Sequence, residues 1–175
     1  MSWSKRAYRD WGGMGLGIAM LAALASLPLV SQALDAPRPQ PTDVCPVCGM
    51  FVAKYPEWVA TVVFRDGKAE HFDGAKDLFK YLFDLAKYAP GRSREDIAAI
   101  AVTEYYGLAR IDAREAWFVI GSDVLGPMGH ELVPLASAAD AEDFLADHSG
   151  TQILRFDDVT PQLLPQLDAG PPGRR

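Results

Sequence analysis

Residues 57–72, EWVATVVFRDGKAEHF, alternate apolar and polar side chains on both sides of Asp66-Gly67. Alternation of period two buries one face of a strand, and Asp-Gly suits a two-residue type I′ turn because both central positions need positive φ. The segment predicts two antiparallel strands and commits the chain to a sheet. Next, Ala75, Leu78, Phe79, Leu82, Phe83 and Ala86 recur at helical spacing, with Asp73 as the expected N-cap and Pro90-Gly91 as the stop. This predicts one amphipathic helix of about four turns at 3.6 residues per turn. The run IAAIAV, residues 97–102, reads as a buried third strand, although periodicity alone does not separate it from a helix.

The same order follows again. AWFVI, residues 116–120, reads as a strand; GSDVLGPMG is a glycine-rich loop, and HELVPL, residues 130–135, is the returning strand. Ser137 with Asp140 three residues later resembles a capping box, Ala141, Phe144 and Leu145 form a stripe, and Gly150 ends the helix. TQILRF, residues 151–156, is the closing strand. The expected fold is α+β: two pseudo-repeated ββαβ units, about 58–105 and 115–157, packed into one domain spanning 44–160. Residues 161–175, rich in Pro, Gly and Gln, are expected to form a tail that ends disordered.

Ahead of this body, Lys5, Arg6 and Arg9 precede an almost uncharged run over 11–34, and Ser31-Gln32-Ala33 offers small residues to a signal peptidase. Residues 1–33 therefore read as a signal peptide or an uncleaved membrane anchor helix, since roughly 20 apolar residues can span a bilayer. Either places the body in the periplasm, soluble or attached to the inner membrane through 11–34. The segment holds no cysteine to acylate, so it is not a lipoprotein signal. Residues 34–43, LDAPRPQPTD, read as a Pro-rich extended linker.

Net charge is −6, and the export segment carries +2, which leaves −8 on the rest. So acidic a body is a poor partner for nucleic acid. With 175 residues, 49% of them hydrophobic, the chain can bury a core without disulfide staples, so its two cysteines are free for chemistry.

Sulfur is distributed unevenly. Met1, Met14 and Met20 belong to the export segment, and the remaining sulfur is Cys45, Cys48, Met50 and Met128. Core methionines fill gaps inside helices and strands, yet Met50 and Met128 both adjoin a glycine in an expected loop. If the two units pack together, the loops meet at one end. Thiolate and thioether sulfur together select a soft cation, Cu(I) first among them in an exported protein. Zinc prefers Cys and His, and a zinc ribbon needs a second Cys-x-x-Cys pair, which is missing. His130, two residues after Met128, is a candidate nitrogen ligand, whereas His71 reads as a half-buried strand residue and His148 as structural near a helix end. The residues leave two other readings open. Cys45 and Cys48 could serve a thiol-disulfide oxidoreductase, although no helix follows to lower a thiolate pKa, or form a structural disulfide in a membrane-tethered protein. Asp66, Asp73, Asp157 and Asp158 fall at turn or cap positions and suggest no acid/base pair.

Taken in order, CGM, AWFVIGSDVLGPMG, ELVPLAS, ADAEDFLADH and ILRFDDV resemble the NosL family of copper chaperones over about residues 43–159. The resemblance implies a non-enzymatic, exported Cu(I) carrier of two ββαβ units, with Cys48, Gly49 and Met50 matching the Cys-Gly-Met motif and Met128 matching the loop methionine. It also implies a partner: the copper-centre assembly machinery, or a cuproenzyme client such as nitrous oxide reductase. Family members are often lipoproteins, and this chain lacks the acylated cysteine. Cys45 is a second thiol outside the motif.

Overall fold

The structure is a computed structural model that describes residues 35–169. The expected signal or anchor, 1–33, lies outside the described residues; among those described, no helix is long and apolar enough to cross a membrane. Residues 35–40 run without regular structure, and Arg110 Nη1 donates to the Pro37 carbonyl at 3.2 Å.

Strands β1 (Ala60–Phe64) and β2 (Ala69–Phe72) pair antiparallel with Ala60 opposite Phe72. Their turn differs from the expected type I′. Gly67 has φ of +85° but Asp66 does not have positive φ; Gly67 N–H donates to the Phe64 carbonyl at 2.9 Å and Phe64 N–H to Lys68 at 2.8 Å. That is a three-residue loop in which a turn is followed by a left-handed glycine, so a single positive-φ position suffices.

The predicted long helix is divided into α1 (Ala75–Phe83) and α2 (Leu85–Tyr88). Asp84 breaks it, because its carboxylate accepts the Lys87 N–H at 3.2 Å and caps a new helix. The N-cap of α1 is Gly74 rather than Asp73, with no capping by its own side chain. β3 (Ile97–Thr103) forms as expected on the far side of β1, and an unexpected β4 (Arg110–Asp112) extends the sheet to the order β2-β1-β3-β4.

β5 (Trp117–Ile120) is the centre of a second antiparallel sheet. The returning segment does not run unbroken from His130 to Leu135. β6 (Leu125–Gly126) and β7 (Gly129–His130) make a small separate hairpin, and only β8 (Val133–Leu135) rejoins β5. Between them Glu131 turns into the interior. α3 (Ala138–Asp147) begins as predicted, with Ser137 Oγ accepting the Asp140 N–H at 3.1 Å. At its far end the left-handed residue is Ser149, φ +53°. Gly150 serves contact instead, since a Cβ there would lie 2.6 Å from Val119 Cγ1. β9 (Gln152–Arg155) completes the order β8-β5-β9. In each sheet the first strand is central and a helical segment precedes the third.

The described part of the expected tail, up to residue 169, is largely helical, and 170–175 lie outside the described residues. α4 (Leu163–Ala169) buries Leu164 and Leu167 against the core, so apolar spacing prevails over the local Pro and Gln content. One core joins both sheets: the Phe79 ring lies 5.4 Å from Phe118 and 5.1 Å from Phe156, centroid to centroid. A smaller cluster, Val119, Val133, Leu135, Ala141 and Phe144, lies beneath α3.

Candidate metal site

The cysteines sit on a tight loop closed by an isolated bridge between Val44 and Phe51. Cys45 N–H donates to the Met50 carbonyl and Gly49 N–H to the Cys45 carbonyl, both at 2.8 Å. Closing so short a loop requires the left-handed conformation at Gly49, φ +78°. Its neighbour in sequence is only a three-residue 3₁₀ turn, Val52–Lys54. Cys45 is buried, Cys48 and Met50 are partly buried, and both thiols are free.

What faces them was not expected. Asp73 and Asp77, one helical turn apart where α1 begins, project both carboxylates onto the thiols. Cys48 Sγ donates to Asp73 Oδ1 at 3.2 Å and Cys45 Sγ to Asp77 Oδ2 at 3.4 Å. The four donor atoms lie within 4.8 Å of one another. Asp73 Oδ2 and Asp77 Oδ1 are buried without a hydrogen bond, although Asp77 Oδ1 keeps an ion pair with Lys80 Nζ at 3.4 Å. Buried polar atoms without partners are uncommon and ask for a reason. Burial pushes the Cys45 thiol up to about 12, with a smaller push from the Asp77 charge. Cys48 is raised further, by burial first and then by its hydrogen bond to Asp73. Neither is an activated thiolate.

Met128 occupies the two-residue turn of the β6–β7 hairpin and is 42% exposed. The hairpin is tied to the helix that carries the two aspartates. Lys76 Nζ donates to the Met128 carbonyl at 2.9 Å, and Lys76 N–H donates to Glu131 Oε2 at 2.9 Å. Glu131 thus satisfies the open amino end of α1 from across the fold, which explains why Asp73 is not its cap. The Glu131 side chain packs between Gly74 and Gly126, its carboxyl against the first and its Cγ against the second, and a side chain at either glycine would collide with it. The cysteine loop and the Met128 hairpin each contact residues at the start of α1.

His130 lies on β7, half-buried, with Nδ1 buried and unpaired. His71 is more buried than expected: Thr61 Oγ1 lies 2.9 Å from its Nδ1 and Asp43 3.9 Å from its Nε2. Burial pulls its pKa down. His148 pairs with Asp123 at 3.2 Å and packs on Phe144. Asp73 and Asp77 are the residues that the sequence reading missed; the available signal was two acidic residues four apart on a stripe otherwise turned inward.

Comparison with known proteins places these features in context. The NosL family model matches residues 37–164. The copper-binding lipoprotein NosL of Stutzerimonas stutzeri is 27% identical over 136 residues, 77% of this chain and 71% of that protein. The crystal structure of the copper chaperone NosL from Shewanella denitrificans superposes with a TM-score of 0.60 at 28% identity, covering 73% of this chain and 96% of that one. A solution structure of the apo-NosL protein from Achromobacter cycloclastes gives a TM-score of 0.42 at 25% identity, over 60% and 87% of the two chains. A family match running from the linker through both sheets, residues 37–164, shows that the chain belongs to the NosL family.

Proposed function

We propose that the chain is an exported, non-catalytic carrier of Cu(I), working in the periplasm either free or held by its N-terminal segment. Cys48 and Met128 are the principal ligands, Cys45 and Met50 further sulfur donors, and His130 a nitrogen donor. The copper passes to copper-centre assembly machinery or to a cuproenzyme client, nitrous oxide reductase or a related enzyme. The observation that carries the reading is the juxtaposition of both thiols on one loop, facing a helix that also anchors the Met128 hairpin. Its support from relatives is their description as copper-binding and copper-chaperone proteins. Sulfur donors suit Cu(I), while the aspartate oxygens are hard donors better suited to accepting the thiol hydrogen bonds of the metal-free state. A partly exposed Met128 leaves the ion open to exchange with an incoming ligand.

The oxidoreductase reading needs a thiolate near neutral pH, and both thiols are shifted the other way. A Cu(I) competition titration of the reduced protein under anaerobic conditions tests the proposal. One tightly held copper per chain, weakened by Met128→Ala and by Cys48→Ser, is expected. No competition, or binding indifferent to Met128→Ala, overturns the two-loop site. For the client, nitrous oxide reductase from cells lacking the chain should be short of copper; a fully loaded enzyme would point to a different recipient.

A further inference from the structure

The C-terminal helix reaches the site. Asp168 on α4 stands between two lysines of α1, with Oδ1 3.0 Å from Lys76 Nζ and Oδ2 3.1 Å from Lys80 Nζ. Lys76 continues to the Met128 carbonyl at 2.9 Å. Lys80 continues to Asp77 Oδ1 at 3.4 Å, and the other oxygen of Asp77 accepts the Cys45 thiol at 3.4 Å. A single carboxylate near the end of the chain thus closes a run of polar contacts from the methionine hairpin to the cysteine loop. Asp168 lies four residues past Leu164, where the family match ends.

Two physical arguments give this run a purpose. A hairpin of two two-residue strands cannot hold its own position in water, and Met128 at its tip is 42% exposed, so packing restrains it only in part. Its carbonyl bond to Lys76 is therefore a fixed point for the turn. Lys76 in turn has its side chain only 1% exposed, and among the described residues Asp168 is its only ion-pair partner. A buried ammonium needs such a partner. Burial opposes the charge on Lys80, yet Asp168 and Asp77 outweigh it and hold its pKa above the ordinary value; the two lysines likewise hold Asp168 low against its own partial burial.

We propose that Asp168 and Lys76 are positioning residues for the copper site, through which helix α4 fixes the Met128 turn relative to Cys45 and Cys48. This rests on the Cu(I) reading above. Neither residue is a ligand. Both act through Met128, so their effects on copper must depend on its thioether.

The test uses the full chain carrying Lys76→Met, Asp168→Asn, Met128→Ala, and each of the first two combined with Met128→Ala. Lys76→Met replaces a buried cation with an apolar side chain of similar length, and the partner it leaves, Asp168, is half-exposed and keeps its pair with Lys80, so no buried charge is stranded. Hydrogen exchange of the metal-free proteins comes first. Amides over 125–130 should exchange faster in both positioning variants, with the melting temperature of Lys76→Met within a few degrees of the parent. The anaerobic Cu(I) titration should then show an affinity loss of about 10- to 100-fold, the usual scale for residues that orient a ligand. In the Met128→Ala background the further loss should largely vanish. Unchanged exchange in the hairpin overturns the proposal whether or not copper binds. Faster exchange with unchanged affinity, or losses that multiply fully with Met128→Ala, also overturns it. A parent protein that fails to bind Cu(I) removes the copper reading itself, and that failure is recognised because it precedes any substitution.

Discussion

Glu131 carries a carboxyl group wholly into the interior, where burial pushes its pKa from 4.5 to about 8 against the opposing pull of the Lys76 N–H and ammonium. The unfolded chain releases this proton near pH 4.5, whereas the fold keeps it until about pH 8. A raised folded-state value contributes stability that is complete below the unfolded value and is lost as pH rises through the folded one. Across this window the loss runs at about 1.4 kcal/mol per pH unit, to a ceiling of about 5 kcal/mol. Glu131→Gln isolates the effect, since the amide oxygen can accept the same Lys76 and Leu132 N–H bonds, at 2.9 and 3.2 Å in the parent, and does not titrate. Urea unfolding of the metal-free parent and variant at several pH values supplies the measurement, and groups common to both cancel in the difference. The variant should gain on the parent steadily from weakly acidic to weakly basic pH and gain no more above that. A difference independent of pH would mean that Glu131 is already ionised in the fold, with Lys76 as counter-ion, and would refute the reasoning.

Three further outcomes follow from the local geometry. Burial raises both thiols, Cys45 to about 12 and Cys48 beyond it, so at pH 8 the metal-free protein should alkylate with iodoacetamide more than about tenfold slower than free cysteine, whose pKa is about 8.5; an equal rate would contradict the hydrogen-bonded, neutral pair. Gly121 has φ of +73° with Thr151 packed against its α-carbon, whereas Gly49, φ +78°, faces open space. Gly121→Ala should therefore lower the melting temperature more than Gly49→Ala, the first by the equivalent of about 2–3 kcal/mol and the second by about 1 kcal/mol; equal losses would remove the contact with Thr151 from the account. His71 has its pKa lowered by burial, so it contributes stability present above its ordinary 6.5 and lost as pH falls through the folded value; His71→Gln should flatten that acid limb in a pH series of thermal melts, and an unchanged limb would show that His71 does not titrate with unfolding.

Legibility in the sequence followed how local the deciding interaction is. The first hairpin, the buried strand β3, the capped start of α3 and the strands β5 and β9 were readable because alternation, apolar runs and a Ser-x-x-Asp cap act within a few residues. The split of the long helix depends on Asp84 capping forward onto Lys87, a choice the apolar stripe does not encode. The helical tail depends on burying Leu164 and Leu167 against a surface that exists only after folding. The returning strand misled because nothing within HELVPL marks where the strand breaks, while Glu131 is drawn inward to the open end of a helix more than fifty residues earlier in the chain.

The same exchange of roles hid half of the candidate site. Asp73 stands where an N-cap belongs, and nothing local distinguishes an aspartate that caps from one that does not. Here Glu131 bonds to the Lys76 N–H, so Asp73 is released from the helix end and meets Cys48, while Asp77 a turn later meets Cys45. Cap and thiol partner are thus coupled: Gly74 leaves room for the Glu131 carboxyl, and a side chain at that position would displace it. Gly74→Ala is therefore expected to disturb the cysteine loop as well as the helix. A displaced Glu131 leaves the amino end of α1 to the nearest remaining acceptor, and that is Asp73. Faster alkylation of Cys48 in Gly74→Ala than in the parent would show the carboxylate returning to its helix; unchanged alkylation with only a lowered melting temperature would show that the two roles are independent.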